Sequence, residues 1–371
     1  MTARQAAPSE AGGTPGIPPR VMADAPRVLL IRRRYLGDIV LLGSVLRNIR
    51  LHWPHARIDL LTEGAYGGVA ALHPDAGAAL ALPVRWTEWP AFIRALRAAR
   101  YSHVLDFDNT ERTALVTRLT GAASRATFNR ELIVHRWPGL YTHTARVTNA
   151  FYDSHHITET YLALPAAIGV PVVTREVRLA PREPDLAAAA RLTGGPRTAD
   201  TGRPRRILLH PGTRSEFRRW PAENFARVCD RAQDELGAQV FLVCGPGEER
   251  AAEAIRRAAK THLIALKPLT TPGALAALAA HCDVFLCHDS GPMHVAAGAG
   301  TPVVALFGSQ NSTLWRPLGA NHTVLQTGLP CACLGAAAPS TCTPGDSYRS
   351  HCVRKISADE VFSVLARALA R

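Results

Sequence analysis

One stretch of the sequence, residues 282–308 (CDVFLCHDSGPMHVAAGAGTPVVALFG), restricts the possible folds more than any other. The apolar run 284–287 is followed by a polar turn at 288–291, a segment of small residues and a second apolar run at 303–307. This pattern predicts a strand, a short helix and a second, parallel strand. In open sheets of parallel strands, ligands bind at the carboxyl ends of the strands. We therefore expect the polar turn to lie at the edge of the sheet where a ligand binds.

Two interpretations of this polar turn are open. Asp289 or Ser290 can simply cap the helix, with the small residues 296–300 serving close packing. Alternatively, the amides of Ser290 and Gly291 bind an anion, because the first amides of a helix lack a partner within it. The stretch by itself is compatible with both interpretations.

The alternation of strands and helices occurs twice along the 371-residue chain. Apolar runs predict strands at 27–32, 58–61, 79–82, 103–107 and 126–128, and again at 206–210, 239–244, 263–266, 284–287 and 303–307. Two sets of similar size predict an α/β protein of two Rossmann-like, doubly wound domains that face a central cleft. The expected boundaries are a disordered tail at 1–26, domains at 27–180 and 205–355, a linker at 181–204 and a C-terminal helix at 356–371.

Composition and charge narrow the class of protein. A hydrophobic fraction of 47% with 20% charged residues is typical of globular proteins that bury a core. The net charge of +13 favours an anionic partner, such as a nucleic acid, a membrane surface or a phosphorylated substrate. No apolar run is long enough to predict a membrane-spanning helix, and the first 26 residues do not have the pattern of a secretory signal. We therefore expect a cytoplasmic protein.

Four cysteines form a cluster near the end of the chain, in a segment rich in Pro, Gly and Ser. In a cytosolic protein such a cluster favours metal binding or free thiols over disulfides. The spacing lacks the tight CxxC pairs of a standard zinc site, so free or redox-labile thiols are favoured over structural zinc. The four are Cys331, Cys333, Cys342 and Cys352.

Carboxylates follow two strands of the first predicted domain. Asp38 comes at the turn after the first strand and is either a helix cap or a general base that faces the cleft. Asp106 and Asp108 follow the strand at 103–107 and either line the same cleft or belong to an ordinary turn. The first strand is not followed by G-x-G-x-x-G, which argues against a dehydrogenase of the NAD type.

Four segments resemble, in their order and spacing, the heptosyltransferases of lipopolysaccharide core assembly, which form glycosyltransferase family 9. They are YLGD at 35–38, HPGTRSEFRRWP at 210–221, GPGEE at 245–249 and HDSGPMHVAAGAGTPVVALFG at 288–308. The resemblance implies the GT-B fold, with the donor held mainly by the C-terminal domain and the acceptor by the N-terminal one. It also implies inverting transfer of a heptose from ADP-heptose to the lipid A–Kdo core, without a catalytic metal or other cofactor.

The resemblance also implies roles for particular residues. Asp38 matches the proposed catalytic base. Thr213 and Arg218 match contacts to the donor phosphates, with Arg219 as a rival for Arg218 because the loop is one residue longer than in some members. Glu248 matches a residue that binds the donor ribose. The donor-binding turn is matched by Asp289, Ser290, Gly291 and His294.

The partners implied are a nucleotide-sugar donor and a lipid-linked, phosphorylated oligosaccharide acceptor, with peripheral contact at the cytoplasmic face of the inner membrane. The alternatives are a related transferase that uses another nucleotide-sugar or glycan acceptor, or a non-catalytic protein that binds anionic surfaces or nucleic acid. No DNA- or RNA-binding signature is present, so we do not expect a nucleic-acid partner.

Overall fold

The computed structural model of the chain describes residues 25–131, 137–195, 202–213, 218–308, 310–327 and 353–370. The predicted tail, apart from residues 25 and 26, and the cysteine cluster at 331–352 lie outside these ranges. The strands are β1 (Arg27–Ile31), β2 (Arg57–Thr62), β3 (Ala79–Ala81), β4 (His103–Asp106), β5 (Ser124–Arg130), β6 (His143–Val147), β7 (Arg206–His210), β8 (Gln239–Leu242), β9 (Ile264–Ala265), β10 (Val284–His288), β11 (Val303–Phe307) and β12 (Thr323–Gln326).

Helices alternate with these strands in both halves of the chain. They are α1 (Leu36–Leu41), α2 (Gly43–His52), α3 (Gly67–Ala70), α4 (Trp89–Ala98), α5 (Glu111–Leu119), α6 (Asn149–Ser154), α7 (Ile157–Ala167), α8 (Glu183–Thr193), α9 (Ala222–Leu236), α10 (Glu249–Ala258), α11 (Pro272–Ala280), α12 (Gly291–Gly298), α13 (Ser312–Trp315) and α14 (Ala358–Leu369). Within the described ranges, no helix combines the length and the apolar character needed to cross a membrane.

The described strands form two six-stranded sheets in which every pairing is parallel. The first has the order β3-β2-β1-β4-β5-β6 and the second the order β12-β11-β10-β7-β8-β9. Counted from its own first strand, each sheet has the same doubly wound order, which confirms the predicted fold class. The strand order reverses between β1 and β4 and between β7 and β10, so the turns after these four strands meet at ligand-binding crevices.

The central strands are buried apolar runs because helices cover both faces of each sheet. Four of the five residues of β1 and all five of β10 are buried. The outer strands are shorter or more polar: β6 and β12 are only partly buried. Neither is among the predicted strands, because their sequences carry little apolar signal.

The segment between the two sheets contacts both domains. The amide of Leu179 donates to the Gly298 carbonyl at 2.8 Å, and that of Ala180 donates to the Leu72 carbonyl at 2.8 Å. Residues 181–204, which the sequence predicts as a linker, contain α8, and this helix packs against α11 of the second domain. The C-terminal helix α14 packs on α9, β10 and β11, so it also covers the second domain.

Candidate active site

A cleft of about 580 Å³ lies between the carboxyl edges of the two sheets. Its first wall is formed by the turns after β1 and β4, the end of β5 and one face of α7, and its second wall by the segments after β7, β8 and β10. Both switch points therefore open into a single cavity. The residues that the sequence predicts for the site and that line this cleft are Asp38, Asp108, Arg218, Glu248, Asp289, Ser290, Gly291 and His294. Thr213, the rival Arg219 and Asp106 do not line it.

Asp38 lies in the first turn of α1 and is 7% exposed. No side chain caps this helix, and Tyr35 occupies the N-cap position, so the helix-cap interpretation of Asp38 is wrong. Instead, Asp38 Oδ1 accepts a hydrogen bond from Arg32 Nη2 at 2.5 Å and another from the hydroxyl of Tyr161. Among the described residues Oδ2 has no partner, so one carboxylate oxygen is held while the other is available to a ligand.

Arg32 links the carboxylates that follow β1 and β4. Its Nη1 donates to Asp108 Oδ1 at 3.1 Å and to the Phe107 carbonyl at 2.9 Å. Burial alone would lower the pKa of Arg32, but the neighbouring Tyr161, Asp38 and Asp108 hold it above its ordinary value. This cation therefore fixes Asp38 and Asp108 relative to each other across the switch point.

Asp106 and Asp108 have different positions although they are two residues apart. Asp108 lines the cleft, and burial raises its pKa against the opposing effect of Arg32 and Arg33. Asp106 is fully buried in the sheet, where its Oδ2 accepts a hydrogen bond from the Tyr141 hydroxyl at 2.6 Å. Burial raises the pKa of Asp106 to about 6. Of these two carboxylates, only Asp108 therefore lines the cleft, whereas Asp106 supports the turn from within the sheet.

Tyr161 is a site residue that the sequence analysis misses. It lies on α7, is 1% exposed and donates to a carboxylate 123 residues earlier in the chain. Burial, followed by the influence of Asp38, raises its pKa well above the ordinary value, so the hydroxyl keeps its proton and acts as a donor. The one local sign of this role in the sequence is that Tyr161 carries a polar hydroxyl in the otherwise apolar segment YLALPAA.

Glu248 is held on the second wall by two neighbours. Its Oε2 lies 3.2 Å from His210 Nε2 and accepts from the Gly245 amide at 2.8 Å. Burial alone would raise the pKa of Glu248, but His210 and the Gly245 amide hold it below its ordinary value. A Cβ on Gly212 would lie 2.1 Å from the Glu248 carboxylate, so only glycine leaves room for it.

The cationic part of this wall is Arg218. Its Nη1 lies 3.6 Å from Asp289 Oδ2, and both residues line the cleft. Arg219 does not line it, so the structure favours Arg218 of the two rival arginines. Thr213 is 5% exposed and does not line the cleft, and residues 214–217 fall outside the described ranges.

The turn after β10 brings the two domains together. Ser290 occupies the N-cap position of α12 but its side chain does not cap the helix; its hydroxyl donates to the His288 carbonyl at 3.3 Å. A Cβ on Gly291 would lie 2.9 Å from Leu36 Cβ, and one on Gly37 would lie 2.7 Å from His294 Cδ2. The glycines therefore allow α1 and α12 to approach closely beside Asp38.

His294 both lines the cleft and packs in this contact. It is 4% exposed, and burial lowers its pKa to about 3, so the ring is neutral. Its Nδ1 has no hydrogen-bond partner among the described residues. Over the same ranges, no three His, Cys, Asp or Glu side chains are grouped to hold a metal ion.

The likeness to solved structures defines the fold as the GT-B type. The glycosyl transferase of family 9 from Veillonella parvula is 21% identical, with a TM-score of 0.77, and the match covers 94% of this chain and 98% of that one. An E. coli heptosyltransferase solved with ADP is 17% identical, with a TM-score of 0.71, over 92% of this chain and 99% of that one.

The sequence then gives the family. The model of glycosyltransferase family 9 (heptosyltransferase) matches residues 89–339, and the chain belongs to this family. Lipopolysaccharide heptosyltransferase 3 of Escherichia coli K12 is 27% identical over 302 residues, which are 78% of this chain and 84% of the relative. The resemblance stated from the four sequence segments is thus confirmed, and the protein is a glycosyltransferase.

Proposed function

We propose that this enzyme transfers a heptose from ADP-heptose to the lipid A–Kdo inner core of lipopolysaccharide, with inversion at the anomeric carbon and without a catalytic metal. The observation that carries the proposal is that the two walls of one cleft carry different functional residues. Asp38 faces it from the first domain, and Glu248, Arg218 and the turn at 289–291 face it from the second. The ADP held by the solved E. coli relative supports the donor assignment.

The second wall is suited to a nucleoside diphosphate. The fixed carboxylate of Glu248 can accept hydrogen bonds from ribose hydroxyls. Arg218 can pair with the diphosphate through its planar guanidinium, with Asp289 holding that group in place. The Gly291 amide at the amino end of α12, together with the helix dipole, offers a second anion contact.

The first wall is suited to activating an acceptor hydroxyl. Asp38 Oδ2 takes the hydroxyl proton as the acceptor oxygen forms its bond to the anomeric carbon. The bond from that carbon to the phosphate oxygen breaks, and ADP leaves with the electron pair. Arg218 and the Gly291 amide stabilise the negative charge that develops on the departing diphosphate. A single displacement of this kind inverts the anomeric configuration.

An anionic acceptor has a cationic contact on the same wall. Arg130 lines the cleft at the end of β5, and its guanidinium carbon lies 3.4 Å from the ring centroid of Tyr152. Its Nε is buried without a hydrogen-bond partner among the described residues. The acid groups of a Kdo-containing acceptor would supply one. Because that acceptor is lipid-linked, the proposal places the enzyme at the cytoplasmic face of the inner membrane.

The experiment that tests the proposal is transfer from ADP-heptose, ADP-glucose and UDP-glucose to Kdo-lipid A with and without EDTA, with mass spectrometry for the mass of the product and NMR for its anomeric configuration. We expect a product one heptose heavier from ADP-heptose only, undiminished by EDTA, with an anomeric configuration opposite to that of the donor. Transfer from another nucleotide-sugar alone would assign the enzyme to a related reaction. Loss of activity in EDTA, or a retained configuration, would refute the corresponding part of the mechanism.

A further inference from the structure

The two most exposed of the large apolar side chains in the described ranges are two residues apart in the segment between β3 and α4. Val84 is 93% exposed and Trp86 is 83% exposed. A tryptophan at this exposure leaves a large apolar area in water, which is costly unless the area is covered in use. We call the group Val84, Arg85, Trp86 and Arg94 the tryptophan surface.

The tryptophan surface is part of a folded turn and helix, so the exposure of its side chains is not that of a disordered segment. The amide of Arg85 donates to Glu88 Oε2 at 3.3 Å, which closes the turn before α4. On the inner side of α4, Leu96 is buried, and Trp89 and Phe92 pack edge to face with their ring centroids 5.7 Å apart. Trp86 therefore projects from a folded turn.

The charge around this surface is basic. Arg85 stands between the two apolar side chains, and Arg94 lies on the exposed face of α4. Over residues 84–100 the sequence has four arginines and one glutamate. Exposed tryptophan combined with clustered arginine is the pattern of segments that lie in the interface of an anionic bilayer.

The position of the tryptophan surface relates it to the cleft. β3 is the outer strand of the first sheet and is parallel to the others, so the turn that follows it lies on the edge of the sheet that also carries Asp38 and Asp108. This edge forms the acceptor side of the cleft in the proposed function.

We propose that the tryptophan surface docks the first domain on an anionic lipid bilayer. Val84 and Trp86 lie between the headgroups and the acyl chains, and the arginines contact lipid phosphates. The inference rests on the proposed function for its purpose, because a lipid-linked acceptor then reaches the cleft from the edge that is held at the membrane. The docking itself requires no sugar transfer and can be measured separately.

The test is co-sedimentation of the full chain with vesicles of phosphatidylcholine alone and of phosphatidylcholine mixed with phosphatidylglycerol. We compare the native chain with Trp86→Ser and with the double variant Arg85→Gln/Arg94→Gln. The matched control is Trp137→Ser: this tryptophan is 42% exposed and precedes the amino end of β6, on the opposite edge of the same sheet.

We expect binding to the mixed vesicles that high salt weakens, about a tenfold loss of partitioning for Trp86→Ser, and less than a twofold loss for Trp137→Ser. The double arginine variant should lose roughly 25-fold, since each of the two arginines contributes about fivefold near an anionic surface. Equal binding by Trp86→Ser and the native chain, or equal losses in Trp86→Ser and Trp137→Ser, would overturn the proposal. So would a lipid-free self-association that Trp86→Ser abolishes, because the surface would then bind a second copy of the chain.

Activity separates this inference from the proposed function. With an acceptor in vesicles, Trp86→Ser should transfer more slowly than the native chain, whereas with a delipidated, water-soluble acceptor the two should be equal. If the native chain transfers no heptose but binds vesicles through Trp86, the proposed function fails and the docking surface stands. If transfer proceeds and Trp86→Ser binds vesicles normally, only the docking surface fails.

Discussion

Replacing Tyr161 with phenylalanine removes one hydroxyl from Asp38 and leaves the ring in place. The ring packs edge to face on Phe107 with the centroids 5.7 Å apart, and phenylalanine keeps that contact. Arg32 Nη2 still donates to Asp38 Oδ1 at 2.5 Å, so the carboxylate keeps its ion pair. What the variant loses is the second bond that fixes the direction in which Asp38 Oδ2 points.

The size of this loss follows from the bond that is removed. A hydrogen bond to a charged acceptor contributes about 1.5–3 kcal/mol, and a poorly oriented base loses rate without losing substrate. We expect kcat for heptose transfer to fall about 10- to 100-fold, which corresponds to ~1.4–2.7 kcal/mol. The KM for ADP-heptose should change less than about twofold, because Tyr161 lies on the wall opposite the proposed donor contacts.

The chain offers a matched control for this variant. The hydroxyl of Tyr101 donates to Asp59 Oδ2 at 2.8 Å, and neither residue lines the cleft. Tyr101→Phe should therefore lose stability without losing kcat. The double variant Asp38→Asn/Tyr161→Phe should be no slower than Asp38→Asn, since Tyr161 acts through that carboxylate. A folded Tyr161→Phe enzyme with native kcat, or an equal fall in Tyr101→Phe, would refute the reasoning.

Three further predictions concern the donor wall and the sheet below the acceptor wall. Gly212→Ala should raise the dissociation constant for ADP about tenfold by calorimetry, since its Cβ displaces Glu248; native affinity would show that Glu248 does not contact the donor. Arg218→Ala should weaken ADP binding roughly 30-fold and Arg218→Lys less, because lysine keeps the charge but loses the planar fork; equal affinity in all three proteins would contradict the phosphate contact. Burial raises the pKa of Asp106 from 3.8 to about 6, so the folded state favours the protonated carboxyl. The native chain should therefore be more stable than Asp106→Asn below about pH 4, and this advantage should disappear as the pH rises through 6. Between these two pH values, the difference in the free energy of unfolding between the native chain and Asp106→Asn should change by at most about 3 kcal/mol in denaturant titrations. A difference that does not depend on pH would contradict this prediction.

The features that the sequence predicts well are those with a local pattern. The turn at 289–291 and Asp38 directly follow buried apolar strands, so the position of each at the carboxyl edge of a sheet can be inferred from a few neighbouring residues. The repeated order of strands and helices was sufficient to predict two doubly wound domains. The edge strands β6 and β12 were missed because a half-exposed strand needs few apolar residues.

The features that the sequence does not predict depend on contacts between distant residues. Tyr161 and Asp38 are 123 positions apart, and no periodic signal in either segment connects them. Three arginines occur in succession at 32–34, and only the fold shows that Arg32 is the one that bonds to Asp38. Likewise, only the fold shows that Arg218 lines the cleft and that Arg219 does not.

Heptose transfer by Asp38→Asn, with donor binding measured on the same preparation, tests whether Asp38 is the catalytic base. Asparagine keeps the size of the side chain but cannot accept a proton. We predict that transfer from ADP-heptose to Kdo-lipid A falls about 10²- to 10⁴-fold, the usual contribution of a general base, while the affinity for ADP stays within about twofold of the native value. Near-native transfer by Asp38→Asn would show that another group takes the proton and would contradict the account.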